Sequence, residues 1–228
     1  MRTIVIGDIH GCDDQLRNIL KKLDPDPEND MLILLGDLFD RGPDSWEVFQ
    51  TVKELEESFG ERFVLLRGNH EDYLLRKKMS FMDNLVWIRV GKNDTVKSFR
   101  SHGQKMEDTI PWLTEHTKMY YKSDRFQCVH AGVKIEPLEA NDIYTLIHDH
   151  SVVVRNKYSG PLTIVGHIAL EKPAWFAGDG KTAESLEYGR RRHLPGHGVI
   201  CIDSGCGKDG KLTAMVIEDD KYVLFSSL

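Results

Sequence analysis

The sequence predicts an α/β fold organised on a largely parallel sheet. Three observations carry that prediction. Apolar runs too short for helices end three times in a polar turn bearing Gly with Asp, His or Asn. Each of the first two turns leads into a stretch with helical spacing, as strand–helix–strand units require. Two further apolar runs then close the chain as an antiparallel pair.

Arg2 to Ile6 is the first predicted strand, and Gly7-Asp8-Ile9-His10-Gly11 is its turn. Asp13-Asp14 are expected to cap a helix whose Leu16, Ile19, Leu20 and Leu23 share one face, and Asp24-Pro25-Asp26-Pro27 stops it. Met31 to Leu35 is a buried strand running into Gly36-Asp37-Leu38-Phe39-Asp40-Arg41-Gly42-Pro43. A helix from about Ser45 to Phe59 follows, with Trp46, Phe49, Val52 and Leu55 at helical spacing. Phe63 to Leu66 is the third strand and ends in Arg67-Gly68-Asn69-His70-Glu71.

Residues 80–117 read as a helical insertion with no chemistry of its own, with a turn at Gly91-Lys92-Asn93-Asp94 and a helix start at Pro111. Lys118 to Lys122 and Phe126 to Val129 form a hairpin turning at Ser123-Asp124, and its second arm ends in His130-Ala131-Gly132. Leu162 to Val165 runs into Gly166-His167, and Val199 to Ile202 into Asp203-Ser204-Gly205. Leu212 to Ile217 and Tyr222 to Phe225 complete the set. With no repeat, low-complexity tract or linker, residues 1–228 are expected to form a single domain.

Composition excludes several classes. Apolar residues make up 40% and charged residues 29%, ordinary values for a soluble globular chain. A net charge of −6 and a pI near 5.9 argue against binding nucleic acid by phosphate neutralisation. No apolar run approaches a membrane span, and the chain opens on a strand rather than a leader. Cys12, Cys128, Cys201 and Cys206 have neither zinc-site spacing nor the density of a disulfide framework, so a reducing cytoplasm is expected.

The strand ends collect Asp8, His10, Asp37, Asn69, His130 and His167. Any one of them alone is more economically a turn residue or a helix cap. Five strand ends carrying oxygen or imidazole donors together point to metal. The absence of thiolates suits manganese, iron or zinc. Six donors exceed what one tetrahedral ion uses, so two ions are expected, with a carboxylate such as Asp37 able to bridge them. Such a pair lowers the pKa of a shared water and favours an anionic substrate, phosphate first. His148 and His150 flank Asp149 without a strand end, and His102, His116 and His197 are isolated, so none joins the set.

Gly7-Asp8-Ile9-His10-Gly11, Gly36-Asp37 with Asp40-Arg41-Gly42, Gly68-Asn69-His70-Glu71, His130-Ala131-Gly132 and Gly166-His167 together resemble the calcineurin-type metallophosphoesterases. The resemblance is to the branch of serine/threonine protein phosphatases and their small bacterial and phage relatives. It implies a sandwich of two mixed sheets flanked by helices, four layers in all, with two divalent metals at the strand ends. It further implies that Asp8, His10 and His167 lie in the shells of the metal pair, that Asn69 and His130 hold the second ion, and that Asp37 bridges. His70 is the implied general acid, Asp40 its orienting carboxylate, and Arg41 and Arg155 the clamp on the phosphoryl oxygens. The resemblance also implies direct attack on phosphorus by a metal-bridging hydroxide, with no phosphoenzyme. Manganese is the preferred ion, with iron or zinc as alternatives.

Three departures stand out. The family usually has Trp shortly before its second arginine, where this chain reads Val152-Val153-Val154-Arg155. Ile168 replaces the common Thr after Gly-His. Residues 172–197, with Arg190-Arg191-Arg192-His193, match no motif and are expected to be a flap-like loop, solvated rather than closed over the site. The expected activity is phosphomonoester hydrolysis of the serine/threonine protein phosphatase type, with phosphoprotein or a phosphorylated small molecule as partner and neither nucleic acid nor membrane. The alternative is hydrolysis of dinucleoside polyphosphates by a bis(5'-nucleosyl)-tetraphosphatase. A catalytically inactive scaffold is disfavoured because every motif residue is present.

Overall fold

The computed structural model describes residues 2–228. Its first half alternates β1 (Thr3–Ile6), α1 (Asp13–Leu23), β2 (Met31–Leu34), α2 (Ser45–Phe59), β3 (Phe63–Leu66) and α3 (Asn69–Leu75). Helices α4 (Phe81–Arg89), α5 (Lys92–Ser101) and α6 (Ile110–His116) follow. Next come β4 (Thr117–Lys118), β5 (Tyr120–Lys122), β6 (Gln127–Val129), α7 (Ile143–His148), α8 (Ser151–Val154) and β7 (Thr163–Val165). The remainder is β8 (Ala174–Phe176), β9 (Ala183–Ser185), β10 (Arg192–His193), β11 (Val199–Cys201), β12 (Thr213–Glu218) and β13 (Lys221–Ser226).

Two mixed sheets result, ordered β10-β13-β12-β1-β2-β3-β4 and β5-β6-β7-β11-β8-β9. The central strand runs are largely apolar because both faces of each sheet are covered there, and the pleat sends alternate residues to opposite sides. Ile4, Ile6, Leu32, Leu34, Phe63 and Leu65 pack against α1, α2 and the later helices on one outer face. Val5, Ile33, Leu35, Val64 and Leu66 point the other way and meet Cys128, Ile164 and Ile200 between the sheets. On the far face of the second sheet, Val129, Val165, Val199 and Cys201 pack on Leu146, Ile147, Val152 and Val153 of α7 and α8. The expected four-layer sandwich of mixed sheets is therefore the observed one.

Several local expectations need correction. Asp13 and Asp14 are the first residues of α1 rather than its caps. Asp13 is buried and accepts Thr51 Oγ1 at 2.7 Å and Arg17 Nε at 2.5 Å, so its carboxylate ties α1 to α2. Lys92 opens α5, so the turn is confined to Val90 and Gly91. The apolar run at 117–122 is split between sheets: β4 continues the first sheet beside β3, and β5 pairs with β6 in the second. Residues 172–197 are not a plain loop. β8 and β9 extend the second sheet and β10 borders the first. Arg190, Arg191 and Arg192 are paired with Glu187, Glu218 and Glu184 respectively, so their charges are spent within the scaffold.

Candidate active site

Asp8, Asp37 and Asn69 follow β1, β2 and β3; His130, His167 and Asp203 follow β6, β7 and β11. Within each group of three the strands run parallel, so one edge of each sheet delivers its polar turns to a common seam. The turns are tightly wound. His10, Asp37, Asp40, Arg41 and His167 all adopt positive φ, between 47° and 71°, conformations that cost L-residues energy and persist where surroundings impose them. Gly68 and Gly166 allow close approach: a Cβ on either would lie 2.0 Å from Asp37 Oδ1 or Asp8 Oδ1.

Asp37 is the hub. Its Oδ2 lies 3.4 Å from His130 Nε2, 3.6 Å from His10 Nε2 and 3.8 Å from His70 Nε2, while Oδ1 accepts the His70 amide at 3.0 Å. Two groups of potential ligands share it, His10–Asp37–His70 and Asp37–His130–His167. Backbone carbonyls set the tautomers. His10 Nδ1 donates to Phe39 O at 2.9 Å and His130 Nδ1 to Leu35 O at 2.8 Å, so both Nε2 atoms face the seam. Asn69 Oδ1 lies 3.1 Å from His130 Nε2 and 2.8 Å from His167 Nδ1. Asp8 Oδ2 accepts the His167 amide at 2.9 Å.

The cluster is short of positive charge. Asp8 Oδ1, His10 Nε2 and Asp203 Oδ2 are buried without a hydrogen-bond partner among the described residues. Burial, reinforced by Asp203, pushes the Asp8 carboxyl well above its usual range. Burial pulls His10 well down, with nearby His70 adding to it, and brings His167 down to about 3 with His130 contributing. Burial opposes a proton on His130 as well, yet Asp37 and Asp8 overcome it and raise that imidazole to about 10. Orphaned oxygen and nitrogen acceptors around a shared carboxylate are what divalent cations satisfy, and the donor set fits such ions.

Beside the hub, His70 Nδ1 donates to Asp40 Oδ2 at 2.6 Å. Asp40 is held by the helical insertion: Trp87 Nε1 donates to Oδ2 at 2.7 Å and Thr95 Oγ1 to Oδ1 at 2.6 Å. Residues 80–117 were expected to carry no chemistry, and this support is the correction. Arg41 lies against the same turn with its Nε buried and unpartnered. Arg155, exposed after α8, lines a groove with Lys134 and Lys157 and has no hydrogen bond or ion pair to the cluster among the described residues.

Four residues escaped the sequence reading. Asp203 ends β11 just as Asp37 ends β2, and that shared pattern was the signal available for it. Glu71, fully buried, accepts the backbone N–H groups of Asp37, Leu38 and Gly68 at 2.8, 2.8 and 2.9 Å. His148 and His150, set aside as unsupported, stand at the rim, with the His150 ring 5.9 Å from that of His167.

The two-sheet fold and its seam of strand-end ligands define a metallophosphoesterase, and comparison with known proteins specifies the family. Residues 1–199 match the family model of calcineurin-like phosphoesterases, and the chain belongs to that family. A symmetrical bis(5'-nucleosyl)-tetraphosphatase of Photorhabdus laumondii is 27% identical, covering 100% of this chain and 98% of the relative. One from Klebsiella pneumoniae is 26% identical over 97% of this chain and 93% of its own length. Among solved structures, a metallophosphoesterase from Sphaerobacter thermophilus has a TM-score of 0.62 at 16% identity, covering 99% of this chain and 88% of that one. The relatives overturn the expectation of a serine/threonine protein phosphatase acting on phosphoprotein, because nearly full-length matches carry the tetraphosphatase name. Both activities use the same phosphoryl-handling motifs, so the motifs could not separate them. No helix is long and apolar enough to cross a membrane among the described residues.

Proposed function

We propose that this chain hydrolyses bis(5'-nucleosyl) tetraphosphates symmetrically, releasing two nucleoside diphosphates. The observation that carries the chemistry is the Asp37 carboxylate, within 3.8 Å of three imidazole nitrogens and next to the His70–Asp40 pair. Kinship with tetraphosphatases along nearly their whole length supports the substrate class.

Asp8, His10, Asp37, Asn69, His130 and His167 would hold two divalent cations, manganese first given a donor set of carboxylate, amide and imidazole. Such a pair supplies Lewis acidity toward the phosphate chain and lowers the pKa of water at the site. The chain's own residues do the rest. Arg41, half-buried beside the Asp40 turn, binds a phosphoryl oxygen through its guanidinium. Asp40 fixes the His70 ring so that Nε2 faces the reacting phosphate. In the reaction, a water oxygen forms a bond to one of the two inner phosphorus atoms, and that atom's bond to the oxygen it shares with the other inner phosphorus breaks. Its electron pair stays on the departing diphosphate, which takes the proton of His70 Nε2. The proton lost by the water passes to solvent, from which His70 is reprotonated.

The test is product analysis. Protein supplied with manganese and diadenosine tetraphosphate should yield ADP as the sole nucleotide product. ATP with AMP, or no cleavage at all, would overturn the proposal.

A further inference from the structure

A row of aromatic rings leads from the proton donor to the surface. His70 meets Tyr73 edge-on at 6.0 Å, Tyr73 meets His148 at 6.2 Å, and His148 stacks on Tyr144 at 5.2 Å with their planes 25° apart. His148 is pinned from the side, where Arg76 Nη2 lies 3.0 Å from its Nε2. Arg76 itself lies over the Tyr73 ring at 5.4 Å and is anchored by Asp72 at 2.6 Å.

Tyr144 ends the row, exposed like Ile143 before it and unlike the three residues that follow. Thr145, Leu146 and Ile147 turn into the core, whereas Tyr144 is 63% exposed. One face rests on His148, which leaves the opposite face open to solvent. A surface tyrosine held rigid by a stacked ring, at the end of a row that starts on a catalytic group, is suited to receive a flat ligand. Bases stack on such rings whatever their identity, because each has a π-face.

Resting on the tetraphosphatase reading, we propose that Tyr144 is the stacking platform for the nucleobase of the departing half of the substrate. The direction follows from His70. The diphosphate that takes its proton leaves on that side, toward the row that ends on Tyr144.

The test compares Tyr144→Ala and Tyr144→Phe with the unsubstituted protein on diadenosine tetraphosphate and on p-nitrophenyl phosphate, which has no base. The expected result for Tyr144→Ala is a fall of about tenfold in kcat/KM on the dinucleotide, mostly in KM, the size of one base–aromatic stack. Tyr144→Phe should keep the rate, and p-nitrophenyl phosphate should be cleaved equally by all three. Saturation-transfer NMR with ADP should show adenine-proton contacts that Tyr144→Ala loses and Tyr144→Phe retains. An unchanged dinucleotide rate in Tyr144→Ala, or an equal fall on p-nitrophenyl phosphate, would overturn the assignment. Inertness of the unsubstituted protein toward the dinucleotide would instead sink the functional reading, so the two failures are distinguishable.

Discussion

Replacing Glu71 by Gln tests how the hub is held. Glu71 Oε2 accepts the Asp37 and Gly68 amides and Oε1 accepts that of Leu38, all within 2.9 Å and fully buried. The amide side chain has nearly the same shape but only one acceptor atom. In its better orientation the oxygen keeps two of the N–H groups, and its NH2 confronts the third. That loses one hydrogen bond to a charged acceptor, worth about 1.5–3 kcal/mol, and weakens the other two by removing the charge. Part of the loss is recovered, because burial raises the Glu71 carboxyl above its usual range and the ionised form is costly to keep there. The net expectation is about 2–3 kcal/mol of lost stability. Urea unfolding monitored by tryptophan fluorescence reads it as a lower midpoint with an unchanged slope. Bound manganese per chain, measured in parallel, should fall as Asp37 loses its fixed position. A midpoint within about 0.5 kcal/mol of the parent, the range of an ordinary surface substitution, with metal content intact, would refute the role given to Glu71.

Other predictions are independent of that one. His70→Asn should slow substrates with poor leaving groups by about 10²–10⁴-fold and p-nitrophenyl phosphate far less, with metal retained; equal losses on both would count against His70 as proton donor. Arg41→Lys should cost about 10–100-fold in kcat/KM through loss of a charged hydrogen bond, whereas Arg155→Ala, outside the cluster, should cost less than about threefold. Steady-state kinetics on both variants decides, and a reversed order would be fatal. Lys134 pairs with Asp149 at 2.6 Å. Burial opposes ionisation of Asp149, but Lys134 and Ser151 hold its carboxyl down at about 2. A depressed carboxyl stabilises the fold above its unfolded pKa of about 4 and loses that contribution as pH falls toward 2. Lys134→Met should therefore lower the melting midpoint slightly at pH 7 and not at pH 2, and a difference that persists at pH 2 would contradict the pairing.

The strands that place the site were legible because they are buried on both faces, so their runs are apolar and end abruptly at the polar turns. The split of residues 117–122 between sheets was not legible. Thr117–Lys118 and Tyr120–Lys122 carry similar residues, and only the partners offered by β3 and β6 separate them. The strands within 172–197 are mostly exposed, and β9 has no buried residue, so no hydrophobic alternation marks it. Among the site residues, the motif positions could be read from spacing. The Trp87 and Thr95 contacts with Asp40 could not, since they span 47 and 55 residues of chain with no local signature. Substrate class was hidden for a chemical reason: the motifs address the phosphoryl group, which both candidate substrates share.

The grip of α4 and α5 on Asp40 makes turnover answerable to distant packing. Phe99, wholly enclosed on α5 against Trp46 and Phe39, never approaches the seam, yet it seats the helix that carries Thr95. Trimming that ring would let the carboxylate drift and the imidazole with it. The resulting defect would pass for a lesion in the chemistry while every ligand stayed in place.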